Sequence, residues 1–210
     1  MAPPASATST APRTTTPSIP GSGSLPSNAL EPARTTTTVP PGVCPDLAQP
    51  VTLAPTQIHG VTYGSATIPS PPGLDAGTPN ITISASEPLY GSLEPGKYVE
   101  ALNVWCSNTG RTADGQIENS WVIYAEGPAP QSVLGTLTPQ MASDTGDHVA
   151  YFDSTQGAIT ITGGSITTKE LFYGSQDATC CPSGRAATVW AWNGRAFEPH
   201  TTVQAQPTGT

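Results

Sequence analysis

Basic residues are scarce in this chain. Seven Lys and Arg stand against 15 Asp and Glu, for a formal net charge of -8, and nowhere do the basic residues cluster. That balance argues against a nucleic-acid partner, because a phosphate backbone needs a basic face. It also disfavours adsorption to anionic lipid and reads most simply as solubility. No apolar run approaches the roughly 20 residues that a membrane-spanning helix needs. The three histidines, His59, His148 and His200, lie far from any cysteine in sequence, so the paired Cys/His spacing of structural zinc is missing. Asp144, Asp147 and Asp153 crowd one region but lack the twelfth-position glutamate of a calcium loop. With no G-x-S-x-G elbow present, no catalytic residue is assigned, and neither a metal nor a cofactor is expected.

What is abundant sits first at the N-terminus. Thirty of the first 42 residues are Pro, Thr, Ser or Ala, and none is aromatic. Such a segment cannot bury enough apolar surface to offset chain entropy. Residues 1–42 are therefore expected to form a disordered stalk, with the Thr14-Thr15-Thr16-Pro17 and Thr35 to Thr38 runs as semi-extended spacers. The start, Met1-Ala2-Pro3-Pro4, has neither the basic nor the apolar region of a signal peptide. Stalk and cysteines nevertheless suit export, so an export signal is expected to lie upstream of this start.

From Cys44 onward, short stretches rich in Val, Ile, Thr and Tyr alternate with period two and are separated by Gly, Pro, Asn and Asp. This is the pattern of antiparallel strands. Strands are expected at 57–63, 80–84, 97–106, 120–124, 132–138, 148–153, 158–162, 165–173 and 188–192, with a short return at 196–198. Gly163-Gly164 and Asn193-Gly194 read as two-residue hairpin turns, whose positive φ angles these residues tolerate. The proline-rich stretch 66–78 reads as an exposed loop. The expected fold is all-β: a single antiparallel domain over residues 43–200, either a sandwich or a strongly twisted meander, followed by a flexible tail at 201–210.

Four cysteines, Cys44, Cys106, Cys180 and Cys181, suggest two disulfides in an oxidising compartment. Neighbours on an extended strand point to opposite faces, and a bridge between them closes a strained ring. Cys180 and Cys181 are therefore expected to pair with Cys44 and Cys106, in one order or the other. Trp190 and Trp192 share one face of their strand, which is either core or an exposed stacking surface.

The segment Asp177-Ala178-Thr179-Cys180-Cys181-Pro182-Ser183-Gly184-Arg185, followed by Thr188-Val189-Trp190-Ala191-Trp192-Asn193-Gly194, resembles the C-terminal hallmark of actinobacterial exported proteins, including the LppP/LprE-type lipoproteins. Val104-Trp105-Cys106-Ser107-Asn108-Thr109-Gly110 and Val133-Leu134-Gly135-Thr136-Leu137 extend the likeness. The resemblance implies an envelope-facing protein, commonly tethered to the outer face of the cytoplasmic membrane. The lipid-bearing cysteine of that family has no counterpart in these residues. The functional expectation is a non-enzymatic extracytoplasmic module that binds an unknown envelope ligand or protein, through Pro182, Ser183, Gly184, Arg185, Trp190 and Trp192. The competing expectations are a cell-wall-directed hydrolase and a structural spacer.

Overall fold

The computed structural model describes residues 37–44, 47–58, 61–69, 80–86, 88–108, 116–127, 132–144, 149–153, 155 and 157–207. The expected stalk up to residue 36 lies outside them. The described residues form strands and turns without a helix, and all strand pairing is antiparallel.

A larger sheet contains β1 (Thr37–Val39), β2 (Val51–Ile58), β3 (Val61–Pro69), β4 (Asn80–Ala85), β5 (Leu89–Glu94), β6 (Lys97–Asn108), β7 (Gln116–Ala125) and β8 (Val133–Leu137). Its order is β1-β2-β3-β4-β6-β7-β8, and β5 also pairs with β6. The long β6 makes this possible: its first half takes β5 along one edge, its second half takes β4 along the same edge, and β7 runs along the other. A smaller sheet has the order β10 (Ile159–Thr162), β11 (Ser165–Phe172), β12 (Gly184–Trp192), β13 (Phe197–Ala205), with the short β9 (Tyr151–Phe152) also on β11.

Side-chain alternation along β6 and β7 gives the larger sheet two buried faces. Val99 and Ala101 of β6, with Trp121 and Ile123 of β7, face the smaller sheet and pack with Phe152, Ile166 and Trp190. The residues between them, Leu102, Val104 and Cys106 with Val122 and Tyr124, face the opposite way into a second cluster. Val39, Val43, Cys44 and Leu53, from the β1–β2 end of the same sheet, belong to that cluster, and the Tyr124 hydroxyl of β7 donates to the Thr38 carbonyl of β1 at 2.8 Å. Strands buried on both faces read as continuous apolar runs, which is why Trp121-Val122-Ile123-Tyr124 shows no polar alternation. Each such fully buried aliphatic side chain contributes roughly 1.5–3 kcal/mol.

The two sheets are also tied by a buried amide chain. The Asn119 side chain donates to Asn103 Oδ1 at 3.1 Å, while Asn119 Oδ1 accepts the Phe152 amide at 3.0 Å. At the other end of the contact the sheets touch backbone to side chain. A Cβ added to Gly91 of β5 would lie 2.5 Å from Ile161 Cβ of β10. Gly91→Ala is accordingly expected to cost about 1–3 kcal/mol, lowering the thermal midpoint by several degrees. Gly127→Ala, where a Cβ meets open space, should leave the midpoint unchanged. Equal midpoints for the two variants would show that the sheets separate freely at β5.

Several expectations need correction. The domain begins before residue 43, because Thr37–Val39 pair with Leu53, Thr52 and Val51, and Val39 is fully buried. The single strand expected at 57–63 is the end of a hairpin: β2 and β3 pair Ile58 with Val61, leaving His59-Gly60 between them outside the described residues. The apolar positions shift parity there, from Ile58 to Val61 and Tyr63, so the reversal leaves a trace at His59-Gly60 that reading the stretch as one strand passes over. Of the stretch 66–78 expected as a loop, residues 66–69 belong to β3, and 70–79 lie outside the described residues. Of the strand expected at 148–153, only Tyr151–Phe152 is strand, and His148 is not among the described residues.

At the C-terminus, the Gly163-Gly164 turn is a two-residue hairpin with φ of 57° and 85°. The Asn193 turn is longer than expected. Trp192 pairs with Phe197, so four residues make the connection, and Asn193 Oδ1 holds it by accepting the amides of Arg195 and Ala196, both at 2.9 Å. What reads as a short return and a flexible tail is the nine-residue β13, which continues to Ala205 and carries His200.

Candidate functional site

Of the expected contact residues, Gly184, Arg185, Trp190 and Trp192 lie on β12, while the segment between β11 and β12 holds the cysteine pair with Pro182 and Ser183. Its conformation is dictated by one carboxylate. Asp177 Oδ2 accepts the amides of Gly174 and Ser183, both at 2.8 Å, and Asp177 Oδ1 accepts the Ser183 hydroxyl at 2.7 Å. Hydrogen bonds to an ionised acceptor are about twice as strong as neutral ones, so both flanks of the loop are drawn to its centre. The Tyr173 hydroxyl donates to the Thr179 carbonyl at 2.8 Å, and Cys181 N donates to the Ala178 carbonyl at 2.8 Å, closing the turn in between. At the base of the loop, Tyr173 is held on the segment after β8: its amide donates to Ser143 Oγ at 3.1 Å, and its carbonyl accepts from Asp144 N at 2.9 Å.

The cysteine pairing is the principal correction. Cys44 bonds to Cys106 across 62 residues, and Cys180 bonds to its neighbour Cys181. The opposite-faces argument fails because Cys180 and Cys181 lie in a turn and not on a strand. They are also segregated by burial: Cys44 and Cys106 are 1% and 0% exposed within the core, whereas Cys180 and Cys181 stand at the surface.

The expected contact residues divide between structural and exposed positions. Pro182 is buried. Ser183 is committed to Asp177. Gly184 pairs with Phe172 across the strands, and the Phe172 ring lies where a Cβ would be, 2.6 Å away. Arg185 is exposed, but its Nη1 turns back to donate to the carbonyls of Pro182 at 2.6 Å and Gly184 at 2.9 Å. Trp190 belongs to the core, with its indole N–H donating to Thr168 Oγ1 at 3.0 Å. Trp192 is half-buried, packed at 4.7 Å between centroids on Phe197, with the Lys97 ammonium 4.8 Å from its ring centre. The two tryptophans do share a face, and it is the inward one.

The outer face of the smaller sheet is open. Its register aligns Thr160, Thr167, Val189 and His200 in one row across four strands, with Lys169, Ala187 and Thr202 in the next. Val189 is 39% exposed, and β13 is exposed along almost its whole length. Sequence reasoning misses this face because it depends on which parity of each strand points inward, and β13 was not legible as a strand. No protein-family model, curated protein or solved structure matches the chain. The likeness to actinobacterial lipoproteins therefore rests on the sequence segments around Cys180-Cys181, Cys106 and Val133–Leu137 alone.

Proposed function

We propose that this chain is a non-enzymatic, extracytoplasmic domain of the cell envelope that recognises a ligand or protein through the outer face of its smaller sheet. The observation that carries the reading is the row Thr160, Thr167, Val189 and His200, in which three β-branched side chains and a histidine line up across four strands. Thr and Val are stiff at χ1, so little side-chain entropy is lost when a partner covers them. The disulfides fit an oxidising compartment, and the sequence likeness supports an envelope location.

The test is retention of the full chain by envelope fractions, with purified wall polymer, membranes and envelope proteins assayed separately. Retention by one fraction is expected, and Val189→Glu should weaken it about tenfold or more, the size of effect seen for central contact residues, while leaving the thermal midpoint in place. Retention by no fraction, or full retention of the Val189→Glu variant, would overturn the reading. Turnover of wall polymer by the purified chain would replace it with the hydrolase.

A further inference from the structure

The bond between Cys180 and Cys181 does little of what a disulfide ordinarily does. Cross-links stabilise by removing loop-closure entropy from the unfolded chain, and the effect grows with the length of loop enclosed. Here no residue lies between the partners. Nor is the bond needed to hold its loop, because the Asp177 carboxylate already grips Gly174 and Ser183 and the Tyr173 hydroxyl grips Thr179. Both cysteines are exposed on this clamped turn, while the molecule's other bridge is sealed in the core. A bond that is dispensable for stability, open to solvent and carried on a loop that stays anchored without it is suited to being broken and remade.

We propose that Cys180–Cys181 is a reversible two-electron redox site that exchanges with a dithiol reductant. A thiolate of the dithiol attacks one of the two sulfurs, forming a mixed disulfide and breaking the Cys180–Cys181 bond; the displaced cysteine thiolate takes a proton. The second thiolate of the reductant then attacks its own partner sulfur. It leaves as a cyclic or intramolecular disulfide, and the second cysteine leaves as a thiol. Two electrons and two protons pass to the protein. A monothiol reaches only the first stage. The displaced thiol is held next to the mixed disulfide at very high effective concentration and expels the adduct, re-forming the ring. The site therefore selects dithiols over monothiols by its covalent geometry.

The experiment uses the full chain under native conditions, treated with dithiothreitol or with glutathione at matched thiol concentration, followed by alkylation, intact mass and peptide mapping. Dithiothreitol is expected to yield two alkyl groups, both on the Cys180-Cys181 peptide, with Cys44–Cys106 intact and the far-ultraviolet circular dichroism unchanged. Glutathione should give at least tenfold less labelling and no lasting adduct, whereas the Cys180→Ala variant, which lacks the expelling thiol, should hold glutathione on Cys181. Removing dithiothreitol and supplying oxidised glutathione, whose mixed disulfide the neighbouring cysteine expels, should restore the original mass. Opening of Cys44–Cys106 at the same or lower reductant concentration would overturn the proposal, as would resistance of Cys180–Cys181 until the chain unfolds. A stable glutathione adduct on the unsubstituted protein would overturn the selectivity.

Discussion

Replacing Cys44 and Cys106 together with alanine is expected to lower the unfolding free energy by roughly 4 kcal/mol, the chain-entropy value for a bridge closing a loop of about 60 residues. For a domain of this size the corresponding fall in thermal midpoint is about 10 °C. The loss should not be uniform. The bridge fastens Cys44, in the connection between β1 and β2, to Cys106 on β6, and Val39 and Val43 of the same stretch lie in the core. Beyond the bridge, β1 is three residues long and is held by its pairing with β2 and by the Tyr124 bond to Thr38. Amide exchange at Thr37–Val39 should therefore accelerate more than exchange in β6 or β7. The Cys180→Ala, Cys181→Ala double variant encloses no loop and should lose well under about 1 kcal/mol by the same logic. Comparable losses from the two double variants would refute this division between a structural bridge and a surface one.

The all-β class, most strand positions and the Gly163-Gly164 turn were legible because alternation and glycine chemistry are local signals. The pairing of strands was less so. That β6 serves β4 and β5 along one edge depends on its twelve-residue length, and the turn before it, Pro95-Gly96, carries no cue to how far the strand continues. The cysteine pairing failed for a related reason. The argument from opposite faces is sound for a strand, but whether Cys180 and Cys181 lie on one is decided by Asp177, whose three hydrogen bonds turn the chain before β12 begins. Likewise, the exposure of Trp190 and Trp192 could not be read from their shared parity, since parity shows that two residues agree in direction and not which layer they meet. One inward signal was present and not taken up: along Ser165–Phe172 the parity of Ile166 and Phe172 also holds Thr168 and Glu170, so a carboxylate falls in the apolar register.

Glu170 accordingly provides the second large effect. Its side chain is fully buried. Oε2 accepts the amides of Gln140 at 2.7 Å and Met141 at 3.0 Å, and Oε1 accepts the hydroxyl of Thr188. Because Thr188 spends its only hydroxyl proton on Glu170, its 2.8 Å contact with Thr201 must be donated from Thr201. The chain of donors thus runs from β13 through β12 to β11, and the same carboxylate fixes the segment that follows β8. Glu170→Ala would leave the amides of Gln140 and Met141 without their acceptor, each a loss of about 1–3 kcal/mol where no water reaches it, while the Thr188 hydroxyl could turn its proton toward Thr201. A total of about 3–5 kcal/mol is expected, with part recovered by relaxation. Glu170→Gln keeps one oxygen for the two amides and presents an N–H₂ to Thr188, which can accept it and turn its own proton toward Thr201. The cost of that change should be only about 1–2 kcal/mol. Urea unfolding of the three proteins, followed by tryptophan fluorescence, measures both differences at constant slope. Glutamine as damaging as alanine would mean that the negative charge, and not the oxygen acceptor, holds the network. Losses below about 0.5 kcal/mol in both variants would mean that the segment at Gln140 and Met141 finds other acceptors and that the network does not join the elements around it.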